Sequence, residues 1–183
     1  MPEQDTETGG PPRVLIVTAT VIAVLFAAGV AVFGIVTNKP EPDQPAAGGP
    51  LPLVSVPAPQ AGTPACARLI ERMPGELTSN GRPLARRTLA DPAPPAAAAW
   101  GDPAPVVLRC GLDRPPELTP TAPLRLVNGV QWLQVQSAGT ATWYAVDREV
   151  YAALTVPDTA GTGPLQTVSD VVAAALPPQP LRF

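Results

Sequence analysis

The 183-residue chain contains no histidine. That removes the commonest general base, the commonest zinc ligand and every nucleophilic triad that turns on an imidazole. Its two cysteines are too few for a histidine-free zinc site or an iron–sulfur cluster. Only one lysine is present, Lys39, so a serine–lysine dyad cannot form anywhere downstream of it. Charged residues make up 15% of the chain and sum to −3, which offers no basic footprint for nucleic acid.

Proline is abundant instead, at 27 residues, nearly three times the usual share, so part of the chain can be neither helix nor sheet. The rest is not a generic disordered polymer, because 45% of the residues are apolar.

The apolar residues are concentrated near the N-terminus. Val14 to Val36 runs 23 residues without a charge, and 19 of them are apolar. As a helix this segment is about 34 Å long, enough to cross a hydrocarbon core of roughly 30 Å. A cleaved signal peptide has a shorter apolar region, of about 7–15 residues, and the small-residue site Gly29-Val30-Ala31 falls inside the run. No cysteine follows before Cys66, which argues against a lipoprotein anchor. The reading is a single transmembrane signal-anchor over 14–36 after a cytoplasmic tail, 1–13. Arg13 and Lys39 balance one another as topology signals. The 147 residues after Val36 hold the only candidate domain. Its cysteine pair suits an oxidising compartment, so the C-terminal part is placed outside the cell membrane. Ala19, Ala23, Ala27 and Ala31 recur every four residues, a stripe that could seat a partner helix or could simply reflect alanine abundance.

Thr37 to Pro64 carries eight prolines in 28 residues and reads as a polyproline-rich spacer, segment 37–64. The domain follows over 65–178, with a short tail at 179–183. From residue 65 onward ten arginines meet ten acids, so the net charge resides in the first 43 residues.

Within the domain, Thr63 and Pro64 form a cap and first position for a helix carrying Cys66, Leu69, Ile70 and Met73 on one face. Residues 81–102 are ambiguous, with a strand near Leu84–Leu89 and then an alanine–proline loop. Val106–Cys110 reads as a buried, central strand, and Pro115–Pro123 as a loop. Val130–Gln136, Thr140–Val146 and Glu149–Val156 form an antiparallel meander entered through Asn128-Gly129. Leu165, Val168, Val171, Val172, Ala175 and Leu176 trace a C-terminal helix. The expected fold is α+β: a mainly antiparallel sheet of about four strands, covered by an N-terminal and a C-terminal helix.

A Cys66–Cys110 disulfide would close a loop of roughly 45 residues and pin helix to sheet, contributing up to about 4 kcal/mol in the chain-entropy model. Two buried free thiols are the alternative.

Trp100-Gly101-Asp102-Pro103 and Pro105-Val106-Val107-Leu108-Arg109-Cys110-Gly111 resemble the signature of an actinobacterial family of domains of unknown function. Val127-Asn128-Gly129-Val130-Gln131-Trp132 and the Asp147-Arg148 … Thr155-Val156-Pro157 ending extend the likeness over Cys66–Pro177. The resemblance implies a short, membrane-anchored envelope protein with a proline-rich linker and one extracytoplasmic domain. It supplies no catalytic residues. The pattern departs at Glu149, where the family has proline.

Catalysis has little to work with here. Ser79, Ser137 and Ser169 lie in no nucleophile elbow, and the carboxylates show no spacing suited to Ca²⁺, so neither a catalytic residue, a metal site nor a cofactor is expected. A histidine-independent envelope enzyme is the least favoured reading. Binding is favoured. Arg109 interrupts an apolar strand, where a guanidinium must pair with a carboxylate such as Asp102 or Asp147, or open on a pocket. If a pocket exists, Arg109, Arg148, Trp100 and Trp132 are its candidate lining. The tryptophans have core packing as the competing role. The leading function is an interaction or scaffold module that meets another envelope protein. The alternative is a binding domain for an anionic lipid or cell-wall precursor. The first predicts a solid core with an exposed apolar or aromatic patch, the second a concave site with Arg109 in its wall.

Overall fold

The structure, a computed structural model, describes residues 49–183, which lie in one unit spanning Pro45–Phe183. The apolar segment Val14–Val36, its alanine stripe and residues 1–13, expected to form a cytoplasmic tail, lie outside the described residues. Among the described residues, no helix is long and apolar enough to cross a membrane.

The first helix, α1 (Pro64–Arg72), starts where the proline and its cap place it: the Cys66 amide donates to Thr63 Oγ1 at 3.4 Å. Met73 ends the helix, and Pro74-Gly75 leads into a hairpin of β1 (Glu76–Ser79) and β2 (Arg82–Ala85). Its turn is Asn80-Gly81, with φ of 49° and 73°, the left-handed pair that a two-residue hairpin demands. Next come β3 (Ala97–Trp100), β4 (Val106–Leu112), β5 (Leu124–Val127), β6 (Val130–Ser137), β7 (Thr140–Ala145) and β8 (Tyr151–Pro157), followed by α2 (Gly163–Ala175). These six strands form one antiparallel sheet in the order β3-β4-β8-β7-β6-β5.

The α+β class and the helix–strands–helix order therefore hold, but the strand count does not. The larger sheet has six strands rather than about four, and β1–β2 form a separate two-stranded sheet. Two of the extra strands were hidden for different reasons. β3 is Ala-Ala-Ala-Trp, and alanine carries almost no strand signature. β5 precedes Asn128-Gly129, which is the hairpin turn between β5 and β6 (φ 46° and 77°) rather than an entry into one strand. The strand expected near Leu84–Leu89 ends at Ala85, leaving single bridges at Arg86 and Leu89. β4 is second from the edge, and the middle of the sheet is β8 and β7.

Alternation along the strands sorts side chains onto two faces. Val106, Leu108 and Cys110 of β4, with Ala152, Leu154 and Val156 of β8, join α1 and α2 in the main core. Leu69, Val168 and Val172 are fully buried against them; each such side chain stabilises by about 1.5–3 kcal/mol. Cys66 of α1 bonds to Cys110 of β4, and no free cysteine remains. The second face holds a smaller cluster of Leu118, Leu133, Val146 and Tyr151, covered by residues of the 115–123 loop and by Leu181.

The folded unit also reaches past 65–178 at both ends. Leu51 bridges to Leu89, and the Gln60 amide donates to the Gly111 carbonyl at 3.0 Å. At the other end, the Gln179 amide donates to Asp147 O at 2.8 Å, and the Arg182 guanidinium to Arg148 O at 3.0 Å.

Candidate functional site

The residues of β4 that do not face the helices are Val107 and Arg109, and the register carries their row across the sheet. Arg109 lies opposite Ala153, Ala153 opposite Tyr144, and the next row sets Thr155 opposite Thr142. Ala153 is too small to fill the space between guanidinium and phenol, so the row becomes the floor of a groove. Val56-Pro57 form one wall and Leu112–Pro116 the other, around about 330 Å³. Arg114 stiffens the second wall by donating to Leu118 O at 2.9 Å.

Arg109 is half-buried. Its Nη2 donates to Val54 O at 2.9 Å, while its buried Nε has no partner among the described residues. Neither Asp102 nor Asp147 reaches it: Asp102 pairs with Arg87 at 3.3 Å, and Asp147 with Arg148 at 2.8 Å. Desolvation lowers the pKa of the Arg109 guanidinium, the mark of a cation short of compensation. Tyr144 is pushed the other way, above its usual phenolic range, first by burial and then by the charge of Glu117. The Thr142 and Thr155 hydroxyls lie 3.2 Å apart beside it. The groove thus gathers the guanidiniums of Arg109 and Arg114, a neutral phenol and two hydroxyls against the single carboxylate of Asp113, a donor-rich set suited to an anionic oxygen. Among the described residues no three acidic or cysteine side chains converge as a metal site.

The other three residues named from the sequence are placed elsewhere. Trp100 and Trp132 are fully buried on the helix side. The Trp100 indole N–H donates to Pro74 O at 2.9 Å, and the Trp132 indole to Ser169 Oγ at 2.9 Å. Ser169 in turn donates to Leu165 O at 2.6 Å, tying sheet to α2. Arg148 is 2% exposed. Its Nη1 donates to Asp147 O and its Nη2 to Gly129 O, both at 2.9 Å. That arrangement locks the β7–β8 bend to the β5–β6 turn. Of the four, only Arg109 opens on the groove.

Thr142, Thr155 and Arg114 carry no motif that marks them in the sequence, and Tyr144 stands out there only as one of the domain's few aromatics. The alternation Thr140, Thr142, Tyr144 along β7 was the available signal, a polar row on one face of an otherwise apolar strand.

Arg109-Cys110-Gly111 also acts as a single fastening. Arg109 holds the Val54 carbonyl, Cys110 bonds Cys66, and Gly111 receives the backbone at Gln60-Ala61. Gly111 has φ +84°, and a Cβ there would fall on the Gln60-Ala61 backbone. Three consecutive residues of β4 therefore hold the approach to α1 at Val54 and Gln60-Ala61, and α1 itself at Cys66.

No curated protein and no solved structure matches the chain. A family model described as "protein of unknown function (DUF3515)" matches residues 20–181, most of the 183-residue length, and the chain belongs to that family.

Proposed function

We propose that the protein is a non-enzymatic interaction module of the cell envelope, anchored by Val14–Val36 with its domain outside the membrane, and that the Arg109 groove receives a carboxylate presented by a partner protein. The observation that carries this reading is the half-buried Arg109 guanidinium, which lines an open groove with no carboxylate paired to it and with its buried Nε unpartnered among the described residues. A desolvated cation of this kind gains most when an anion completes its coordination. The 23-residue uncharged run and the disulfide support the anchored, extracytoplasmic part of the reading.

Shape favours a protein partner over a lipid or wall precursor. At about 330 Å³ the groove is at the lower limit of small-ligand pockets, which span ~300–1,000 Å³ and bury most of their ligand. Lying open between Val56-Pro57 and Leu112–Pro116, it offers no enclosed apolar volume for an acyl chain. A side chain or chain terminus from a neighbouring protein needs none.

The test is a titration of the full chain with acetylated tripeptides that carry a C-terminal carboxylate or its amide, read on the backbone amide resonances of Ala153 and Tyr144 in the groove. The carboxylate form should bind about tenfold more tightly, a difference of ~1.4 kcal/mol, and Arg109→Gln should abolish that preference while the fold and disulfide persist. Equal binding of the two forms, or a preference that survives Arg109→Gln, overturns the reading.

A further inference from the structure

The three tryptophans do not share one environment. Trp100 and Trp132 are sealed in the core, whereas Trp143 is only partly buried and forms a wall of a second depression of about 230 Å³. This depression lies on the helix side of the sheet, opposite the Arg109 face, beside the start of α2. Gln134 stands across from Trp143 in the strand register, and Gln136 across from the small Ala141.

The polar groups along this wall are prearranged. The Gln134 side-chain amide donates to Gln136 Oε1 at 3.1 Å, and the Gln136 amide donates to Asp158 Oδ1 at 3.0 Å. Each amide nitrogen keeps a second hydrogen, and Gln134 Oε1 and Asp158 Oδ2 remain as acceptors. The result is a hydrogen-bonded row of donors and acceptors next to an indole that packs against the core.

From this juxtaposition we infer that the depression is a saccharide subsite, taking a single neutral pyranose ring against Trp143. Vicinal hydroxyls both donate and accept, so they match a row that offers donors and acceptors. The C–H face of a pyranose carries partial positive charge and fits the electron-rich face of an indole. No arginine or lysine lines the depression, and Asp158 does, so an anionic ligand is disfavoured. The volume lies below the ~300 Å³ of drug-sized pockets and suits one ring. The site is independent of the Arg109 groove and does not rest on its reading.

The experiment follows the Trp143 indole N–H resonance of the full chain, kept in a zwitterionic detergent that contains no sugar. Glucose, galactose, mannose and N-acetylglucosamine are the probes, with glycerol and sorbitol as hydroxyl-matched controls lacking a ring. At least one sugar should give a saturable shift in the millimolar range, with Gln136→Ala weakening it tenfold or more and the acyclic polyols giving none. Gln136 is a surface residue, so this variant keeps the fold even if Trp143→Ala does not. Absence of a saturable shift with all four sugars, an equal shift with glycerol, or unchanged binding in Gln136→Ala overturns the proposal.

Discussion

The two faces of the six-stranded sheet are built from the same strands yet differ in kind. On the helix side, Val106, Leu108, Leu154, Trp100 and Trp132 pack into a core closed by α1, α2 and the disulfide. On the other side, a smaller cluster occupies one part, and the Arg109 row occupies the other, unfilled at Ala153. The lesson is that period-2 alternation divides labour residue by residue. Along β4 and β8 one face supplies stability, and the other is free to carry polar groups whose partners are incomplete.

Breaking the covalent tie on the helix side should have the largest effect. A Cys66→Ala/Cys110→Ala pair should lower unfolding free energy by up to about 4 kcal/mol, measured by extrapolation to zero denaturant, with a steeper slope because the unfolded chain without its cross-link exposes more surface. Neighbours in sequence then separate the faces. Leu154→Ala, on the helix side, should cost about 3 kcal/mol. Replacing Thr155 and Thr142 together by valine, on the open side, should change stability by less than about 1 kcal/mol, because both partners of one hydrogen bond are removed. Comparable losses from the two changes would break the division.

Gly111→Ala probes the seam between the faces. The left-handed backbone and the collision with Gln60-Ala61 should cost about 2 kcal/mol, with amide exchange at Gln60 and Ala61 accelerating more than at Leu154. Protection lost equally everywhere would show that the segment before α1 is not separately fastened.

The smallest effect is a pH response confined to the open face. Burial and Glu117 raise the Tyr144 pKa above its ordinary value of 10.0, so the folded state favours the neutral phenol. Its contribution is fully present below pH 10 and is lost as pH rises through the raised value. Stability should therefore fall above about pH 10, and Tyr144→Phe should flatten that part of the profile. A profile unchanged by the substitution would remove Tyr144 from the account.

Much of the architecture was legible in the chain. The periodicity of Cys66–Met73 and Leu165–Leu176 marked both helices, and the meander followed from alternation in residues 130–156. What escaped was decided by tertiary context. An alanine-rich segment becomes β3 because β4 offers it a partner, and propensity alone gives no hint of that. Arg109 was conspicuous as a charge within an apolar run. Arg148 looked equivalent from sequence, but the Asp147-Arg148 bend buries it among backbone carbonyls, an outcome that composition cannot distinguish from a groove-lining arginine. The tryptophans behaved likewise, since burial is a property of the assembled sheet rather than of the residue type.

The fastening of Arg109-Cys110-Gly111 has a mechanical consequence. Tension applied to the chain ahead of residue 49 would first peel the contacts at Leu51, Val54 and Gln60, which are individual hydrogen bonds that yield one at a time. It would then reach Cys66, where a covalent bond diverts the force into Cys110. β4 is gripped antiparallel by β3 and β8 along most of its length, so the load would have to shear a ladder of bonds together. α1 would be bypassed, and the main core would stay closed while the segment before it stretched.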